Sequence, residues 1–231
     1  MSDFQTHSKI YFILLPGFSP DHIPVLPLKE SLERKGHTAL ASTFFDDHTF
    51  EYFSQLTMEK CHDHVSQLIR SAKQQNKLVI GVGVSLGGAL LLEYAKTHND
   101  LDGIVSIGTP FRLKYRPLMS FGELLLPIIY PFWKKFEKRR EWRLLPIGAG
   151  PQVIRYLETD FLSGLEKISV PTLFIHSKKD LVTDYTALPE FSKKISSERK
   201  KIILSENGDH VIDHDPGMIA EHIINFFHLP R

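Results

Sequence analysis

The amino-acid sequence predicts an α/β protein with a mostly parallel sheet of about six strands, flanked by helices, and a helical cap inserted after the fourth strand. Short apolar runs alternate with longer amphipathic stretches along the chain, and this alternation indicates βαβ units with right-handed crossovers. Several runs are apolar at successive positions, which is typical of parallel strands buried on both faces. A long segment after the fourth apolar run lacks this alternation, and this segment is the predicted cap.

Each predicted strand is a short run of apolar and β-branched residues. In chain order the runs are Ile10–Leu15, Thr38–Thr43, Lys77–Val82, Gly103–Ile107, Thr172–His176 and Lys201–Leu204. The main helical patterns are Val25–Lys35, Phe50–Lys73, Leu86–Thr97, Thr186–Ile195 and Met218–Phe227. A helix therefore follows every predicted strand except the fourth.

The cap is predicted over residues 112–164, between core segments 1–111 and 165–231. It contains no convincing strand, and its helical stretches are interrupted by Pro117, Pro127, Pro131, Pro146 and Pro151. A second domain is the alternative, but a segment of this length makes a small one.

The cap contains an apolar stretch, residues 118–133, followed directly by a mostly basic run, residues 134–140. One interpretation is a lid helix packed on the core with its basic face in water. The other, which we favour, is an apolar wall for an acyl chain, with Phe121, Leu125 and Ile129 as candidate substrate-binding residues. Contact of the basic run with anionic lipid is a further alternative. The prolines and the shortness of the stretch argue against a membrane-spanning helix.

Charge and cysteine content narrow the possible partners and location. The chain has 28 Lys and Arg against 27 Asp and Glu, a net charge of +1, so no nucleic-acid partner is predicted. Cys61 is the only cysteine, which excludes an intramolecular disulfide and suits a reducing compartment. The run Ile10–Leu15 is shorter than a signal-peptide core. We therefore expect a cytoplasmic protein, whose oligomeric state the sequence leaves open.

A G-x-S-x-G pattern places Ser85 between an apolar strand and a helical segment. This context is typical of a nucleophile elbow, in which a serine occupies the tip of a strained turn. Gly83 and Gly87 lie where larger side chains would collide with the turn. The alternatives are an ordinary turn serine or a phosphate-binding loop, but the lysine of a P-loop is missing. Ser85 is therefore the candidate nucleophile.

A serine nucleophile needs a base and a carboxylate that orients the base. Asp180 follows the fifth predicted strand and His210 follows the sixth. Because ligands of parallel α/β sheets bind at the carboxyl ends of the strands, we expect Ser85, Asp180 and His210 to meet there. Asp184 and His214 are the competing residues.

The oxyanion that forms during acyl transfer needs two backbone N–H donors. The amide of Leu86, directly after the nucleophile, is one candidate. The other is the amide of Phe18, in the loop after the first strand, where Gly17 lets the backbone approach closely.

These motifs together resemble the α/β-hydrolase superfamily, and most of all its small carboxylesterase and monoacylglycerol-lipase branch. The matching segments are Leu15–Phe18, Gly83–Gly88, Leu101–Ser106, the Asp180 loop and Gly208–Ile212. The resemblance implies an α/β-hydrolase fold, a Ser85–Asp180–His210 triad, esterase or lipase chemistry through an acyl-enzyme, and no cofactor. The expected partner is a small-molecule ester or lipid-like substrate.

The chain departs from the family pattern in two loops. Pro16 precedes Gly17 where family members usually have histidine, and Asp209 precedes His210 where they often have glycine. The proline removes one amide hydrogen but leaves the expected Phe18 donor in place. The charge of Asp209 can modify the base.

The segment Cys61–His64 suggests a metal site, but it lies within a helical pattern, where residues two apart do not share a face. No partner set with zinc-site spacing accompanies it. We therefore predict no metal, and we interpret His62 and His64 as surface residues of a helix.

The catalytic residues leave several functions open. A ligand-binding or receptor-like α/β-hydrolase with little turnover is one alternative, because fold and triad do not determine biological role. Thioesterases, amidases and C–C bond hydrolases use the same triad. Among the reactions open to such a triad, we favour the hydrolysis of carboxylic esters.

Overall fold

The computed structural model describes residues 10–18, 23–44, 57–75, 77–114, 150–210 and 215–229. The strands in these residues are β1 (Ile10–Leu15), β2 (Thr38–Ala41), β3 (Leu78–Val84), β4 (Gly103–Ile107), β5 (Thr172–Ser177) and β6 (Lys200–Ser205). The α-helices are α1 (Leu26–Arg34), α2 (Met58–Lys73), α3 (Leu86–Ala95), α4 (Gly150–Glu158), α5 (Leu188–Lys194) and α6 (Pro216–Phe227).

The strands form one sheet in the order β2-β1-β3-β4-β5-β6, in which every neighbouring pair is parallel. The predicted α/β class is therefore confirmed. The chain runs from β1 outward to β2, returns past β1 to β3, and then continues to β6. Such a reversal opens a crevice at the carboxyl ends of β1 and β3, where sheets of this type bind ligands.

Both faces of the sheet are buried, which explains the successive apolar residues of the strands. In β1, Ile13 and Leu15 pack into the core on one face, and Phe12 and Leu14 pack into the core on the other. Helices α2, α3, α4 and α5 contribute to the first core, while α1 and α6 contribute to the second.

Strand β3 extends further along the chain than predicted. It continues to Val84 because Gly83 and Val84 pair with Ser106 and Ile107 of β4. Ser85 follows directly, so the last paired residue of the strand lies next to the candidate nucleophile.

Two helix starts also differ from the prediction. Helix α6 begins at Pro216 and not at Met218, because the Asp215 side chain accepts a hydrogen bond from the Met218 amide at 2.8 Å and caps the helix. The side chain of Thr57 caps α2, and the predicted start of that helix, residues 50–56, lies outside the described residues. The remaining boundaries differ from the prediction by a few residues at most.

The middle of the predicted cap, residues 115–149, lies outside the described residues, and so do the candidate substrate-binding residues Phe121, Leu125 and Ile129. The two ends of residues 112–164 are described. Among the described residues, no helix combines the length and the apolar composition needed to cross a membrane.

Both described ends of the predicted cap, residues 112–114 and 150–164, attach to the core. At the first end, Leu113 forms an antiparallel bridge with Thr183. At the second end, α4 buries Val153, Tyr156 and Leu157 in the core that it shares with α2.

Phe226 and Phe227, two neighbouring residues of α6, allow a test of how this helix packs on the second core. Phe227 has no exposed surface, and a Cβ added at Gly103 of β4 would lie 2.2 Å from its Cε1 atom, so its ring packs directly on the sheet. Phe226 is partly exposed. We expect Phe227→Ala to lower the free energy of unfolding by about 3–5 kcal/mol, and Phe226→Ala by about 1 kcal/mol, in urea denaturation. Equal losses in the two variants would contradict this packing.

Candidate active site

Ser85 occupies a sharp turn between β3 and α3. Its backbone has φ 51° and ψ −115°, and a residue with a side chain adopts such a positive φ only at an energetic cost. Its amide donates a hydrogen bond to the Ile107 carbonyl of β4 at 2.7 Å, which anchors the turn to the sheet. This strained strand–turn–helix geometry is that of a nucleophile elbow.

Two glycines make room for the turn. A Cβ at Gly83 would lie 2.3 Å from the carbonyl carbon of Gly87, and a Cβ at Gly87 would lie 2.5 Å from the Pro16 carbonyl oxygen. Both contacts are with backbone atoms, which cannot move aside as the end of a flexible side chain can. The G-x-S-x-G spacing is therefore a steric requirement of the turn.

The loop after β1 passes against the candidate nucleophile. A Cβ at Gly17 would lie 3.2 Å from the Cβ of Ser85, and Phe18 is the next residue. Leu86 is the first residue of α3, where helix amides lack an intrahelical acceptor and the helix dipole favours negative charge. Both candidate oxyanion donors thus belong to segments that adjoin Ser85.

His210 connects the other two predicted residues. Its Nε2 lies 2.9 Å from Ser85 Oγ, and its Nδ1 lies 2.8 Å from Asp180 Oδ2. Its side chain is 19% exposed, so the imidazole is accessible from solvent. The structure therefore brings Ser85, His210 and Asp180 together within direct hydrogen-bond distance, each at the carboxyl end of a strand.

Asp180 has no exposed surface, and donors surround its carboxylate. Oδ1 accepts hydrogen bonds from the amides of Val182 at 2.7 Å and Thr183 at 2.9 Å. Oδ2 accepts from the Thr183 hydroxyl at 2.6 Å in addition to His210. Burial by itself raises the pKa of Asp180, but hydrogen bonds from His176, His210 and Thr183 outweigh it and hold that pKa well below its ordinary value. The carboxylate is therefore ionised at neutral pH.

Small residues hold the His210 loop in place, a role that was not predicted for them from the sequence. Gly108, after β4, has φ 56°, and a Cβ there would lie 2.7 Å from the His210 carbonyl oxygen. The Ser177 hydroxyl, at the end of β5, donates to the Gly208 carbonyl at 2.7 Å. A glycine directly after a buried strand is the one signal in the sequence that suggests such a close approach.

Residues 112–114, a few positions after β4, pair with the loop that contains Asp180, which the sequence did not predict. The Lys114 amide donates to the Val182 carbonyl at 2.8 Å, and the Asp184 amide donates to the Arg112 carbonyl at 2.9 Å. The Lys114 ammonium also contacts the Asp180 carbonyl. No local pattern indicates this pairing, because it joins segments far apart in the chain.

The competing carboxylate Asp184 is engaged elsewhere. Its Oδ1 accepts hydrogen bonds from the Thr186 hydroxyl at 2.6 Å and the Thr186 amide at 3.0 Å, and so caps the helical turn Tyr185–Ala187. The competing histidine, His214, lies outside the described residues.

The segment Cys61–His64 lies in α2. Within the part of the chain that the structure describes, no group of three or more His, Cys, Asp or Glu side chains is placed to hold a metal ion. Burial raises the pKa of the Cys61 thiol to about 12. His62 and His64 were predicted to be surface residues, but both are half-buried. The ring centroids of His62 and Tyr156 are 5.5 Å apart, and His64 Nε2 lies 3.1 Å from the Ser42 hydroxyl oxygen.

Proteins similar to this chain include lipases. The thermostable monoacylglycerol lipase of Bacillus sp. (strain H-257) is 27% identical over 234 residues, which cover 97% of this chain and 92% of the lipase. A solved structure of the metagenome-derived lipolytic enzymes LipS and LipT matches with a TM-score of 0.78 and 19% identity, over 96% of this chain and 94% of that one. The monoacylglycerol lipase of Paleococcus ferrophilus matches with a TM-score of 0.64 and 15% identity, over 97% and 96%. No family model matches the chain.

The low pKa of Asp180 predicts how stability depends on pH. Because the folded-state pKa lies below the unfolded-state value, near 4, the ionised carboxylate stabilises the fold above about pH 4, and this contribution declines as the pH falls toward the folded-state pKa. We expect Asp180→Asn to be less stable than the wild type at pH 7 by about 1–3 kcal/mol, and we expect the difference to shrink below about pH 4.

Urea denaturation at a series of pH values from neutral to acidic measures this difference. Asp63→Asn, on the exposed side of α2, is the matched control and should show no such convergence with the wild type. A stability difference for Asp180→Asn that stays constant down to acidic pH is the contrary result.

Proposed function

We propose that the chain is a serine hydrolase of the α/β-hydrolase type that cleaves carboxylic esters. Its similarity to a monoacylglycerol lipase along 97% of its length supports this, as does the fold that it shares with solved lipolytic enzymes. The observation that supports this most directly is the hydrogen-bonded series from Ser85 Oγ through His210 to Asp180 Oδ2, with distances of 2.9 and 2.8 Å. In this order, the carboxylate orients the imidazole, and the imidazole accepts the hydroxyl proton, which makes the serine a nucleophile.

In the proposed first step, Ser85 Oγ attacks the ester carbonyl carbon while His210 Nε2 accepts the hydroxyl proton. The carbonyl oxygen becomes negatively charged, and the amides of Phe18 and Leu86 donate hydrogen bonds to it. The tetrahedral intermediate then collapses. The bond to the alcohol oxygen breaks, His210 gives its proton to the alcohol, and the acyl group remains on Ser85.

In the second step, water replaces the alcohol. His210 accepts a proton from the water as its oxygen attacks the acyl carbon, and a second oxyanion forms at the same amides. Collapse of this intermediate breaks the bond to Ser85 Oγ, which regains its proton from His210. Asp180 stays ionised throughout, holds the Nδ1–H of the imidazole and stabilises the imidazolium.

We further propose a lipid-like ester such as a monoacylglycerol as the substrate. The lipase of Bacillus sp. (strain H-257), which is similar along 97% of this chain, supports this class. We propose that the predicted cap, residues 112–164, binds the acyl chain through Phe121, Leu125 and Ile129. The pairing of residues 112–114 with the Asp180 loop supports a cap that starts near Ser85 and His210. The single cysteine suits the cytoplasm as the location.

Replacement of Ser85 tests the reaction. We expect Ser85→Ala to lower kcat for a p-nitrophenyl ester by about 10⁴-fold or more, because it removes the nucleophile and leaves only binding and oxyanion stabilisation. The wild type should be labelled covalently by a fluorophosphonate probe and the variant should not.

The matched control is Ser71→Ala on the exposed side of α2, which should keep wild-type turnover and labelling. Full ester hydrolysis by purified Ser85→Ala would refute the proposal. A labelled wild type without appreciable turnover would instead favour a receptor-like protein.

A panel of esters tests the substrate class. We expect kcat/KM to rise from acetyl to medium- or long-chain p-nitrophenyl esters, and likewise among monoacylglycerols, because each methylene buried in an apolar pocket adds about 0.8 kcal/mol of binding. Ser85→Ala measured on every substrate corrects for background hydrolysis. A preference for acetyl esters would argue against an apolar acyl pocket under the cap.

A further inference from the structure

The Asp180 carboxylate contacts a second histidine that the proposed reaction does not use. His176 belongs to β5, and its side chain is 2% exposed. Its Nε2 lies 2.8 Å from the Thr183 hydroxyl oxygen and 3.2 Å from Asp180 Oδ2. Oδ2 therefore faces two imidazoles, those of His176 and His210, and one hydroxyl.

The hydrogen-bonding capacity of these groups determines where His176 carries a proton. The Thr183 hydroxyl has one hydrogen, which it donates to Asp180 Oδ2 at 2.6 Å. Its oxygen can therefore only accept from His176 Nε2, and an ionised carboxylate likewise only accepts. Since both neighbours of Nε2 are acceptors, this nitrogen carries a hydrogen and shares it between them.

We propose that His176 is a positioning residue of the reaction: its Nε2–H, shared by Thr183 Oγ1 and Asp180 Oδ2, sets the orientation and charge density of the carboxylate that faces His210. This inference rests on the proposed function, in which His210 is the base. A hydrogen bond donated to Oδ2 keeps the carboxylate in place. It also draws negative charge away from the carboxylate oxygen that faces His210.

Three elements place titratable groups at Asp180. His176 comes from β5 and His210 from the loop after β6. Lys114, from the segment after β4, contacts the Asp180 backbone carbonyl and not its carboxylate. Gly108 approaches from the end of β4 and has no side chain; a Cβ there would lie 3.8 Å from Oδ2. Replacement of His176 therefore removes a donor at Oδ2 and changes neither residue of the Ser85–His210 contact.

Two replacements of His176 separate its N–H from its volume. Phe retains a ring and removes the donor, whereas Gln places a side-chain N–H at a similar reach. We expect His176→Phe to lower kcat about 10-fold with KM within about 2-fold, because the carboxylate loses one of the donors that orient it. We expect the acidic limb of the kcat/KM profile to move up by about 0.5 pH units, because charge returns to Oδ2 and favours protonated His210. His176→Gln should recover most of both effects.

Folding is monitored by urea denaturation of each variant. If Phe does not fit the site, His176→Asn takes its place in the comparison, because its amide is too short to reach Oδ2. NMR titration of the His210 ring in the wild type and the variants follows the same pH shift without requiring turnover. This measurement separates failure of the inference from failure of the proposed hydrolase activity.

A folded His176→Phe protein with wild-type kcat, pH profile and His210 titration overturns the inference. Equal impairment of the Phe and Gln variants also overturns it, because the effect then comes from packing. If the wild type lacks ester turnover but His176→Phe still shifts the His210 titration upward, the effect of His176 on His210 is supported and only ester hydrolysis is rejected.

Discussion

A carboxylate with no exposed surface persists as a charge only where hydrogen bonds replace the water that it has lost. At Asp180 two amides face Oδ1, and a hydroxyl and two imidazoles face Oδ2. These donors come from different parts of the fold: Val182 and Thr183 from the loop itself, His176 from β5, and His210 from the loop after β6. The buried charge therefore determines how three segments come together, and the rest of the site depends on it.

Backbone hydrogen bonds that continue just beyond the paired strands hold these segments at the edge of the sheet. The Ser85 amide donates to Ile107, the Gly108 amide donates to Ile175, and the Lys178 amide donates to Ser205, at 2.7 to 2.9 Å. Each bond joins the loop after one strand to the end of the next, from β3 to β6. The turn that holds Ser85 and the loops that hold Asp180 and His210 thus have little freedom to shift relative to one another.

The sequence predicts those parts of the molecule that depend on local patterns. The strands follow from apolar runs, and the proximity of Ser85, Asp180 and His210 follows from their places after β3, β5 and β6. The sequence places His176 in an apolar strand but does not indicate that its ring meets Asp180, because the intervening loop has to turn back first. The pairing of residues 112–114 with the Asp180 loop is likewise absent from any local pattern. The strand end at Val84 was missed because pairing with β4, and not composition, decides it.

Backbone strain supports the functional interpretation of Ser85 independently of any resemblance. In the described part of the chain, two residues other than glycine have positive φ, Ser85 and His228. His228 has φ 56° and ψ 44° and follows the last turn of α6, which is an ordinary way for a helix to end. Ser85 has ψ −115° at the start of a helix, where an unstrained residue with a capping side chain would be more stable. Such strain persists only where the surroundings enforce it, here through Gly83, Gly87 and the Ile107 carbonyl. The Ser85 hydroxyl contacts the His210 imidazole, which in turn contacts the buried Asp180 carboxylate. Packing does not explain why a strained residue is kept at this position, whereas chemistry at the Ser85 hydroxyl does.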